Sequence, residues 1–143
     1  MQSQERDRIA AFLESAVSAG ASSEQVAALV ASTFRGLDQA LAPIVGQRGM
    51  AALYRRSVHL CRPMQPWLPV ATEAAGSEID VAALNAALAK QSAADAAAAG
   101  IQLLASFGAL LTSLIGEALT ERLLRPVWAT LFFSAPSARD TTS

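Results

Sequence analysis

The chain offers little of what covalent or metal chemistry uses. It has one cysteine, Cys61, and one histidine, His59, in 143 residues. A single cysteine cannot close an internal disulfide, which fits a reducing compartment. His59 and Cys61 are too few for a metal site, and residues two apart on a helix point in different directions. No nucleophile elbow is present. Gly46-Gln47-Arg48-Gly49 is the nearest approach to a phosphate loop, and no Lys-Ser or Lys-Thr follows it. The expectation is therefore no catalytic residue, no metal and no cofactor, and a protein that is not an enzyme.

Charge is also scarce. Charged residues make up 16% of the chain and hydrophobic ones 52%, against about 25% charged in an ordinary soluble domain. The net charge of -1 supplies no field that would gather nucleic acid, and none is expected as a partner. Residues 1–17 mix acids with bases and lead into no long apolar core, so they do not read as a signal peptide, and a cytoplasmic location is expected. So few charges on so much apolar surface call for a partner, and a homodimer is the commonest solution.

No stretch alternates polar and apolar residues long enough to make a convincing strand. What is present is helix. The expected fold is all-α: one domain over residues 1–143, a bundle of four to six helices with a long, mostly apolar helix near its centre. Ile9, Phe12, Leu13, Ala16 and Val17 form one stripe, and Gly20 is placed to stop that helix. Ser22 with Gln25 fits a capping box, and Val26, Leu29, Val30, Thr33, Phe34, Leu37 and Leu41 follow on one face. Pro43, Gly46 and Gly49 disturb the pattern, and a separate helix is expected from about 49 to 62. Pro63, Pro66 and Pro69 mark residues 63–77 as an internal loop, from which Trp67 folds back to plug the core. Ser77 and Asp80 offer a further cap. Val81, Leu84 and Leu88 start a helix that pauses near residues 90–93. The chain then reads as helical to Arg125, with Pro126 breaking or kinking it. Residues 134–143 read as a flexible tail.

Residues 96–116 contain no charge, about the length needed to cross a bilayer. Gln102, Ser106, Ala109, Ser113 and Gly116 nevertheless form a small, partly polar stripe of the kind that lets a second helix approach closely. The flanks hold acids, Asp95, Glu117 and Glu121, with no basic cluster or aromatic belt. The favoured reading is a core helix whose stripe contacts another helix or a dimer partner; a membrane association is the less favoured one.

At 100° per residue, Arg48, Arg55, His59 and Arg62 fall within one narrow sector of a helix face. Guanidinium groups pair bidentately with carboxylate and phosphate, so this ridge is a candidate surface for an anion or an acidic partner. The less specific expectation is a solvated face. Glu117 and Glu121 are expected to be able to meet it, within the chain or across a dimer. His59-Leu60-Cys61-Arg62-Pro63 has neither the lysine nor the glycine that follow the histidine of phosphotransfer domains, and a histidine near a helix C-terminus is favoured by the dipole in any case. Cys61 reads as a core residue.

The expected function is thus a non-enzymatic interaction or regulatory module. The alanine-rich, lysine-poor composition suggests an accessory to a bacterial signalling system. The alternative is a helical binder of apolar ligand or lipid, with Phe34, Phe107, Trp128, Phe132 and Phe133 as its large apolar residues.

Overall fold

The structure, a computed structural model, describes residues 3–68 and 81–133. Five helices account for nearly all of them: α1 (Ser3–Ser18), α2 (Ser23–Cys61), α3 (Val81–Ala89), α4 (Ala93–Ile115) and α5 (Glu117–Phe133), with no strand among the described residues. The expected all-α bundle with a long apolar helix is the fold. Part of the proline-rich loop (69–77), the Ser77–Asp80 cap and the tail 134–143 lie outside the described residues.

The helix starts follow local chemistry. Ser22 adopts an extended backbone, its hydroxyl accepts from Gln25 N at 3.1 Å, and Gln25 Oε1 accepts from Ser22 N at 2.8 Å. Both halves of the capping box therefore form. Ser92 does the same for α4, accepting from Asp95 N at 3.0 Å, with Asp95 in the first turn where the helix dipole favours an acid.

The two long helices differ from the sequence reading in opposite ways. The second and third expected helices form one element, α2, broken at Gly46, whose φ of 80° and ψ of 162° only glycine adopts cheaply. Phe34 before the break meets Tyr54 after it, ring centroids 5.4 Å apart, so the second limb doubles back across the first. The expected run to Arg125, in contrast, is two helices. It divides at Gly116 (φ 92°, ψ 158°), whereas Pro126 sits inside α5, which continues to Phe133. Pro126 is exposed, so the carbonyl left without an N–H partner faces water and the helix survives.

A few contacts fix the directions. Val30 lies against Gly100 and Phe34 against Phe107, so the first limb of α2 and α4 run the same way. Leu13 reaches the Gly100 level, where Phe12 stacks on Phe132, while Gly36 faces Val127, so α5 runs back the other way. The turns at Gly46 and Gly116 therefore share one end of the bundle. The turns after α1 and after α3 share the other, where Ser23 Oγ donates to the Ala89 carbonyl at 2.9 Å. α4 packs against all four other helices. Its inward face is Ala96, Ala97, Ala99, Gly100, Leu103, Leu104, Phe107, Gly108 and Leu111.

Candidate functional site

The second limb of α2 divides into two faces. Met50, Ala51, Tyr54, Ser57, Val58 and Cys61 are buried. On the opposite side Arg48, Arg56 and His59 are exposed, and Arg55 and Arg62 are half-buried. The four residues of the expected ridge therefore lie on the side of this limb away from the core. The ridge is wider than expected, because Arg56 joins it one residue beyond Arg55. No acid occurs between Asp38 and Glu73, and no ion pair joins these five side chains to an acid among the described residues. The expected meeting with Glu117 and Glu121 within the chain is accordingly absent there. Arg62 Nη2 donates to the Pro66 carbonyl at 3.5 Å, a long bond that turns it toward the loop.

Two apolar side chains continue the ridge at its far end. Leu60 is 45% exposed and Met64 69%. By helical angle Leu60 stands beyond Arg56, just outside the buried sector. Trp67 is half-buried against the core and Leu68 is buried, in line with a plug.

Cys61 faces inward, and its sulfur lies 3.6 Å from Ser106 Oγ. Burial pushes the thiol above its ordinary range, and the Ser106 contact opposes this more weakly. An activated cysteine needs the reverse. Native protein at pH 8 should alkylate with iodoacetamide at least about tenfold more slowly than urea-unfolded protein. The raised value also fixes a sign. The contribution of Cys61 to stability is complete below the unfolded thiol's pKa and is lost as pH rises through the higher folded value. Cys61→Ala should therefore flatten the alkaline limb of a stability-against-pH curve.

The predicted helix-contact stripe is split. Gln102 and Ser106 are half-buried, and Ser106 is engaged with Cys61. Ala109, Ser113 and Gly116 are exposed. Close approach inside the chain uses the neighbouring Ala97–Gly100 side instead.

A groove of about 340 Å³ runs between the first limb of α2 and α5, with Leu29, Thr33, Gly36, Pro126, Val127 and Leu131 in its walls. Thr33 Oγ1 donates to the Leu29 carbonyl, so its hydroxyl proton is already committed. Among the described residues no cluster of three His, Cys, Asp or Glu side chains is arranged to share a metal ion. α4 is long and apolar enough to cross a membrane by length and composition, with a mean hydropathy of 1.7 over its most apolar window, 44% of which is buried in the bundle.

The class defined by this geometry is an all-α bundle, of five helices among the described residues, with a cationic outer limb. No family model matches the sequence, and no curated protein or solved structure matches it.

Proposed function

We propose that the chain is a non-enzymatic, cytoplasmic interaction module, an accessory to a bacterial signalling system, that docks an acidic protein segment along the outer face of α2. The observation that carries this reading is the limb itself: Arg48, Arg55, Arg56, His59 and Arg62 share one side of the segment after the Gly46 break, which has no acid of its own. A solvated surface usually intersperses both signs. Here the cations are left for a partner, and Leu60 and Met64 extend the face with apolar area at one end. Guanidinium groups favour carboxylates in pairs, which gives an acidic helix or strand orientation as well as attraction.

The test uses a fluorescent glutamate-rich peptide as probe. Wild-type protein should bind it, with affinity falling steeply as salt rises. Arg55→Glu/Arg56→Glu/Arg62→Glu should weaken binding at least about a hundredfold while leaving the circular dichroism spectrum unchanged. Equal binding by the triple variant would overturn the reading.

A second reading, an apolar ligand or lipid in the α2–α5 groove, is favoured by one observation. The volume of about 340 Å³ sits at the lower end of the range for small-molecule sites, roughly 300–1,000 Å³. It predicts acyl chains co-purifying with the protein and lost from Gly36→Leu, a change the acidic-partner reading leaves without effect on peptide binding.

A further inference from the structure

The end of the bundle where Gly46 and Gly116 turn the chain is unlike the rest of the surface. Large apolar side chains are left open there: Ile44 is 51% exposed, Leu114 60% and Leu119 38%. Val45 and Ile115 beside them are only partly covered. Gly116 itself has open space where a side chain would stand. The run of directions places these residues together. Phe34 and Phe107 lie side by side, and α2 and α4 both continue from there toward this end. Gly36 faces Val127, and stepping back along α5 from Val127 leads to Leu119 at the level of Ile44.

The exposed charges next to the two turns, Arg48 and Glu117, have opposite signs on opposite lobes. Arg48 stands on the α2 lobe, two residues past the break at Gly46 that follows Ile44, and Glu117 stands on the α4–α5 lobe between Leu114 and Leu119; both are exposed. A surface with an apolar centre, a cation on one side and an anion on the other is complementary to itself under a two-fold rotation. The rotation lays the Ile44–Arg48 lobe of one copy on the Leu114–Glu117–Leu119 lobe of the other, and each ion pair then occurs twice. An anionic bilayer would welcome Arg48 but repel Glu117 and Glu121, so the charges favour protein over lipid.

We infer that this end is a homodimer face, in which Ile44 packs against Leu114 and Leu119 of a second copy and Arg48 pairs with its Glu117. It is separate from the Arg55–Arg56–Arg62 part of the ridge and leaves that free to bind elsewhere. Arg48 is the one residue the two surfaces share.

Sedimentation equilibrium in detergent-free buffer tests it. Wild-type protein sediments as a dimer, and so does Arg55→Glu/Arg56→Glu/Arg62→Glu, which separates this inference from the acidic-partner reading. Ile44→Asp and Leu114→Asp sediment as monomers with unchanged helix content, both positions being solvent-exposed in the single chain. Arg48→Glu alone and Glu117→Arg alone each weaken the dimer by about tenfold or more. Mixing those two single variants restores association, because each supplies the charge the other now needs, and Arg48→Glu/Glu117→Arg in one chain restores it as well. A monomeric wild type, an Ile44→Asp variant that still dimerises, or single charge variants that no mixing rescues would each overturn the inference. Wild-type protein that is monomeric in buffer but floats with phosphatidylserine vesicles would overturn it in favour of a membrane surface.

Discussion

Phe34→Ala should cost about 3–5 kcal/mol of folding stability, the range for deleting a fully buried aromatic side chain. Phe34 is fully buried and meets two rings edge-on: Tyr54 at 5.4 Å and 79°, and Phe107 at 5.7 Å and 87°. The three rings lie on three different stretches of helix, namely both limbs of α2 and α4. The ring is therefore the place where the broken helix closes on itself and on the central helix. Edge-to-face pairs add about 0.5–1.5 kcal/mol each beyond area burial, which puts the loss in the upper part of the range. Domains of this size have only about 5–15 kcal/mol in total, so the variant should melt some 10–20 °C lower. Urea titration followed by far-UV circular dichroism measures it. Phe34→Leu, which keeps most of the volume, should recover more than half of the loss. Phe132 provides the contrast. It stacks on Phe12 at 5.3 Å and lies under Arg8, but it is only half-buried. A Phe34→Ala cost no greater than that of Phe132→Ala would mean that the limbs of α2 do not close on this ring.

Elements whose signal is local were legible in the sequence, and elements decided by packing were not. The Ser22–Gln25 box and the stripe from Val26 to Leu41 needed only neighbouring residues to specify them, and every member of that stripe is buried. The cationic ridge was legible for the same reason: a helix angle places Arg48, Arg55, His59 and Arg62 without knowledge of the fold. The break at Gly116 was hidden because Leu114, Ile115, Leu119 and the residues beyond keep an apolar rhythm across it. Pro126 does not end the helix, because α5 continues to Phe133 on the packing of Leu124, Val127, Trp128 and Leu131. The inward face of α4 was not legible. A helix without charge from 96 to 116 has apolar or small residues at every angle, so periodicity cannot say which side meets the core. The open end at Ile44, Leu114 and Leu119 is a property of three helices at once, and no stretch of sequence contains it.

The stripe that α4 does use is tested by Gly100→Ala. A methyl at that position would stand 2.6 Å from Val30 Cγ2, closer than carbon atoms pack. Val30 is fully buried and β-branched, with one favoured rotamer in a helix, so it cannot turn away. The helices must part instead, and overpacking of this kind costs about 1–3 kcal/mol. The intrinsic preference of a helix for alanine, about 1 kcal/mol over glycine, works against the loss. Gly36→Ala isolates that preference. Its methyl would meet Val127 Cγ1 at 3.5 Å, an ordinary contact, so the same substitution should be neutral or stabilising there. Val30→Ala alone should cost about 2 kcal/mol for the methyl groups removed and the cavity left. Combined with Gly100→Ala, the new methyl enters that cavity, and the double variant should be at least about 1 kcal/mol more stable than the sum of the two singles. Denaturation of all four proteins completes the cycle. Single costs that simply add would show that α2 and α4 do not touch at this level, and the parallel course of the two helices would lose its anchor.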